Sequence, residues 1–136
     1  LLTGREESST FAKNMNSMKL LQTNLHEIET AVELEKMISE NANVMVCCGR
    51  MGPMCLPVYD VMEELEEERS GIKFAVMAFD NPEAAVIRNA PECRGFMGLP
   101  FTMYYKDGKV AHATSSIQNM QQVTSILDKQ FAAKIG

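Results

Sequence analysis

The chain has 136 residues and a formal net charge of −5, from 13 Lys and Arg against 18 Asp and Glu. That length suits one compact domain with at most a short extension, and the share of apolar residues, 46%, excludes a chain disordered throughout. An acidic balance, with an isoelectric point near 5.0, argues against nucleic acid as the main partner, because phosphate binding needs clustered Lys and Arg. The longest apolar runs, Val44–Cys48 and Phe74–Phe79, are too short to cross a bilayer, so no membrane partner is expected.

Residues 1–18 read as an N-terminal extension, either disordered or left over from expression. Small and polar residues from Gly4 to Ser17 dominate it, a weak helix over Thr10–Met18 is the alternative, and Met18 can serve as a native start. The domain is expected over residues 19–136. Leu20–Leu25 suggests a short strand. Ile28, Ala31, Val32, Met37 and Ile38 recur at helical spacing over Glu27–Glu40. Val44–Cys48 is a continuous apolar run bounded by Asn43 and Gly49, which suits a strand buried on both faces.

Gly49–Pro53 reads as a tight loop. From Pro53 to Glu68, Val58, Val61, Met62 and Leu65 repeat at i, i+3, i+4 and i+7, with Pro57 expected to kink the helix. The run Glu63, Glu64, Glu66, Glu67 and Glu68 is its solvated side. Ile72–Phe79 is a second buried strand, and Asn81–Pro82 opens a short helix that Pro91 stops. Phe101–Tyr105 and Val110–Thr114 form a hairpin around Lys106-Asp107-Gly108-Lys109. Strand alternation puts one of Tyr104 and Tyr105 in the core and the other outside. His26 and His112 show no metal-ligand spacing and are expected to be solvated. Ser116 or Asn119 can cap a final helix whose inward stripe is Met120, Val123, Leu127 and Phe131. The order β-α-β-α-β-α-β-β-α implies an α/β domain with a mixed sheet and helices on both faces.

Three local signals on that order resemble the thioredoxin family. Gly98-Leu99-Pro100 leads into an apolar strand and Lys106-Asp107-Gly108, like the family's Gly-Ile-Pro-Thr and Lys-Asn-Gly. Asp80-Asn81-Pro82 follows a buried strand, and Gly52-Pro53 opens a helix after Val44–Cys48. The resemblance covers about Leu20 to Phe131 and implies the thioredoxin fold with a cis Leu99–Pro100 bond. It also departs from the family. Arg50-Met51-Gly52-Pro53-Met54 stands where the family has Trp-Cys-Gly-Pro-Cys, and Met45 falls near the family's buried Asp. A thioether cannot become a thiolate, so the usual dithiol chemistry cannot run through Met51 and Met54.

The chain has four Cys: Cys47, Cys48, Cys55 and Cys93. A domain of this size does not need disulfide staples, so reduced thiols in a cytoplasm are expected. Cys55 follows Met54 in the first turn of the expected helix, where free N–H groups favour a thiolate. It is the candidate catalytic thiol, with Cys48 across the loop as its candidate resolving partner. A disulfide between them requires Cα atoms within about 7 Å. Cys47 and Cys48 point to opposite faces of the strand, and Cys47 is assigned to the core. Cys93 is expected to be an incidental surface thiol. The sulfurs of Met51, Met54, Cys48 and Cys55 suit Cu(I), but no His lies near them and Met is abundant, so neither metal nor cofactor is assigned.

Two functions compete. One is a thiol-disulfide oxidoreductase-like protein acting on a disulfide-bearing substrate through Cys55 and Cys48. The other is a redox-inactive module that binds a protein or peptide partner along Met51, Gly52, Pro53, Met54, Leu99 and Pro100, with Phe101 adding apolar surface.

Overall fold

A computed structural model describes residues 19–131. Residues 1–18, and with them the expected extension and the weak helix over Thr10–Met18, lie outside the described residues. Five strands, β1 (His26–Ile28), β2 (Asn43–Gly49), β3 (Lys73–Ala78), β4 (Phe101–Lys106) and β5 (Lys109–Ser115), form one sheet in the order β1-β3-β2-β4-β5. β1, β3 and β2 are parallel, whereas β4 runs antiparallel to β2 and β5 antiparallel to β4. The helices are α1 (Ala31–Glu40), α2 (Leu56–Glu68), the short α3 (Ala85–Arg88) and α4 (Met120–Phe131).

Alternation along the strands divides the core. Met45, Cys47, Phe74, Val76 and Tyr104 pack under α2 and α4, against Val58, Tyr59, Met62, Leu65, Val123 and Leu127. Val44, Val46, Cys48, Ala75, Met77, Met103 and Tyr105 pack on the other face, against Leu34 and Met37 of α1 and Ile87 of α3. Each large side chain fully buried this way contributes about 1.5–3 kcal/mol. Because helices cover both faces, Tyr104 and Tyr105 are both buried, against the expectation that one would be exposed. His112, on the edge strand β5, is half-buried with its ring beside Tyr104.

Three boundaries differ from the sequence reading. The first strand is His26–Ile28 rather than Leu20–Leu25, and Glu27 lies in it. The buried Glu27 carboxylate accepts the Leu20 and Leu21 N–H groups, while Glu63 accepts the Asn24 N–H, so side chains hold this segment in place of a strand ladder. α1 starts late because Thr30 caps it, its hydroxyl accepting the Glu33 N–H at 3.0 Å. α2 begins at Leu56, preceded by a turn in which the Cys55 and Leu56 N–H groups both donate to the Gly52 carbonyl. Pro57 therefore sits in the first turn of α2 rather than in its interior, where no intrahelical acceptor awaits its missing N–H.

The hairpin follows from its turn residues. Asp107 and Gly108 both have positive φ, 53° and 85°, as a tight two-residue turn of this hand requires. Asn119, not Ser116, caps α4: its side chain accepts the Gln122 N–H, and Gln122 accepts the Asn119 N–H in return.

Candidate functional site

β2 ends at Gly49, and the chain then loops over the end of the sheet before entering α2. The Leu99–Pro100 bond, just before β4, is cis as the resemblance implied. Because β2 and β4 are neighbours, with Cys48 opposite Phe101, the loop and Pro100 meet at one edge.

Gly49 is the centre of this meeting. A Cβ placed on it would lie 2.7 Å from Cys55 Sγ, 2.9 Å from Tyr59 Oη and 3.0 Å from Pro100 Cβ. The absence of a side chain lets the loop close over these three groups. Cys55 is only 2% exposed. Its Sγ accepts the Arg50 N–H at 3.4 Å, and the Tyr59 hydroxyl donates to the Arg50 carbonyl at 3.0 Å. Burial pushes the Tyr59 hydroxyl well above the ordinary tyrosine range, so it remains a donor.

The thiols are arranged differently from the sequence reading. Cys48 belongs to the α1 face of the sheet, whereas Cys55 belongs to the α2 face, so the strand separates the expected pair. Cys47, assigned to the core alone, shares the face of Cys55 and is as buried as Cys48. Cys93 is not a surface thiol; it is buried with its Sγ 3.6 Å from Met103 Sδ. All four thiols are free. Burial raises Cys47 well above the usual thiol range and pushes Cys48 up to about 12, the latter despite the Arg88 charge; Cys93 is raised too, by burial and then by Glu92. Protonated, buried thiols are poor nucleophiles. The sulfurs of Met51, Met54, Cys48 and Cys55 do not converge on one point, since Cys48 is below the sheet and Cys55 above it.

The outer surface of the site is made by methionine. Met51 is 40% and Met54 44% exposed, with Leu56 similarly open beside them. Pro53 is exposed and Gly52 half-buried between them. The Gln22 N–H points at Met51 Sδ, 3.3 Å away, so the segment before β1 borders the loop. Leu99 is half-buried and packs against both core halves, while Pro100 is buried beneath. Phe101 does not add to the surface: it is buried, edge-on to Phe79 and Phe96.

Sequence reasoning missed the polar rim. Arg50 is bound in bidentate fashion to Asp80, with contacts of 2.9–3.1 Å, and lies over the Phe79 ring 5.3 Å from its centre. Arg88 approaches the same ring and donates to the Phe79 and Asn81 carbonyls. The Arg50 guanidinium holds the Asp80 carboxyl below its ordinary range. Arg50 at the end of one buried strand run and Asp80 at the end of the next were the available signal.

A concavity of about 700 Å³ lies elsewhere, lined by His26, Glu27, Thr30, Glu33, Lys36 and Lys73. It contains no thiol and no residue of the Gly49–Cys55 loop. Among the described residues, no helix is long and apolar enough to cross a membrane.

No protein-family model matches the chain, and no curated protein matches it in sequence. Solved structures do match. Thioredoxin from Plasmodium falciparum is 18% identical over 77% of this chain and 98% of its own, with a TM-score of 0.64. A thioredoxin mutant from Halobacterium salinarum is 17% identical over 81% of this chain and 95% of its own, with a TM-score of 0.65. Thioredoxin from Fasciola hepatica is 22% identical over 78% and 99%, with a TM-score of 0.59. At such identities the likeness concerns the fold: the chain has the thioredoxin fold.

Proposed function

We propose that this chain is a thioredoxin-fold recognition module that holds an extended segment of a protein partner and performs no dithiol chemistry. The observation that carries the reading is the exposure of Met51 and Met54 on the loop over Pro100, where the fold's relatives by resemblance keep their reactive cysteines. Methionine side chains are flexible and polarizable and adapt to varied apolar partners. Leu99 adds backbone for pairing with an extended chain: among the described residues, no backbone hydrogen bond engages its N–H or C=O. Gly98 and Pro100 on either side accept the Ser116 N–H, which anchors the strip.

Selection from a random displayed-peptide library tests this. Enriched peptides are expected to bind the native chain, to lose about tenfold or more in affinity to Met51→Glu/Met54→Glu, and to bind Cys55→Ser within about twofold. Failure to enrich any peptide, or equal binding to the glutamate variant, refutes the reading.

A thiol-disulfide role through Cys55 is the second reading. Its support is the position of Cys55 Sγ, beneath the loop and against the same space as Pro100, with the Arg50 N–H directed at it. Cys47, in the same half of the core as Cys55, then replaces Cys48 as the candidate partner. Turnover of a disulfide substrate that disappears in Cys55→Ser supports it; no turnover by the native chain removes it.

A further inference from the structure

The exposed methionines are segregated. Among the described residues, Met37, Met45, Met62, Met77 and Met103 are buried and Met120 is half-buried. The exposed ones are Met51 and Met54, on the Gly49–Cys55 loop, and Met97, 95% exposed on the segment leading to cis Pro100. The thiols show the reverse distribution, none more than 4% exposed. In this fold edge, thioethers face the solvent and thiols face the core.

Resting on the recognition reading above, we propose that Met51, Met54 and Met97 are the first oxidation sites of this protein: peroxide-class oxidants convert these thioethers to sulfoxides before any thiol reacts, and at Met51 and Met54 thereby turn the recognition surface from apolar to polar. The step balances without another reagent. A sulfur lone pair attacks one peroxide oxygen, an S–O bond forms, the O–O bond breaks, and the departing hydroxide takes the proton to leave as water. Sulfur loses two electrons and the peroxide gains them. Thiol oxidation, in contrast, needs an accessible thiolate, and each Cys is buried. The sulfoxide is polar and chiral, unlike the side chain it replaces. At Met51 it also disturbs the contact with the Gln22 N–H, because the acceptor moves from sulfur to an oxygen projecting beyond it. The modification is reversible by methionine sulfoxide reductases.

The test is a short hydrogen peroxide treatment of the full chain, followed by peptide mass mapping and by retention on a phenyl matrix. Sulfoxide is expected at Met51, Met54 and Met97 ahead of Met37, Met45, Met62, Met77 and Met103, with all four Cys unmodified. Retention of the native chain is expected to fall on oxidation and to return after sulfoxide reductase treatment. In Met51→Leu/Met54→Leu/Met97→Leu, which keeps apolar side chains of similar volume, retention is expected to change far less; Met15 and Met18 are common to both chains. Oxidation of any Cys before these methionines overturns the proposal, as does an equal loss of retention in the triple variant. Neither readout uses a partner, so failure of peptide selection and failure of this site are separate results.

Discussion

Replacing Gly49 with alanine places a methyl carbon where three groups already converge. It would meet Cys55 Sγ at 2.7 Å, Tyr59 Oη at 2.9 Å and Pro100 Cβ at 3.0 Å. Contacts this short force movement, yet all three neighbours are buried, and Gly49 itself is fixed by the Phe79 N–H donating to its carbonyl at 2.8 Å. Overpacking of this kind costs about 1–3 kcal/mol, or ~4 °C in melting temperature per kcal/mol for a domain of this size. Urea unfolding of Gly49→Ala measures the cost directly. Cys55→Ala removes the nearest of the three atoms, so the double variant is expected to lose less than the sum of the singles, with a coupling of about 0.5 kcal/mol or more. A Gly49→Ala chain as stable as the native one, or strictly additive losses, would refute the packing of Cys55 against Gly49 and with it the geometry of the site.

Thr30→Ala removes the cap of α1 and is expected to cost about 1 kcal/mol in urea unfolding; no loss means that the Thr30–Glu33 bond is not formed. Pro57→Ala is expected to change stability by less than about 0.5 kcal/mol, because Pro57 displaces no helical hydrogen bond; a large gain would reveal a strained helix. Asp80, held low by Arg50, is expected to titrate below the ordinary Asp range when followed by carboxyl NMR. Because its folded pKa is depressed, the stabilisation from the pair is complete above the unfolded Asp pKa and disappears as pH falls through the folded one. Arg50→Gln should return Asp80 to ordinary titration, and an Asp80 already ordinary in the native chain contradicts the pair.

The sheet and its helices were readable because their signals are local. Continuous apolar runs marked β2 and β3 and Asp107-Gly108 marked the hairpin, whereas the cis bond at Leu99–Pro100 came only from the family resemblance of Gly98-Leu99-Pro100. The start of the domain was misread because apolar Leu20, Leu21 and Leu25 look like a strand, whereas the carboxylates of Glu27 and Glu63 take their backbone donors or those of neighbours. Thr30-x-x-Glu33 was a capping signal within the stretch read as continuous helix. The partition of the cysteines was harder. Alternation correctly separates Cys47 from Cys48, but which of them shares a face with Cys55 depends on how the strand is seated between two helical layers. Burial of Cys55 could not be read from its position in a helical turn, because it depends on Gly49 having no side chain.

The most direct measurement of the central claim, a recognition surface without a working dithiol, is differential alkylation of the four cysteines with peptide mass mapping, after a mild disulfide-forming oxidant such as diamide and again after reductant. Four free thiols that label slowly in the native chain and readily in denaturant are the expected result, in keeping with buried sulfurs and with Cys48 pushed up to about 12. A reversible disulfide between Cys55 and either Cys47 or Cys48, formed in the folded chain, would contradict the claim and make this thioredoxin fold a redox protein with a displaced site.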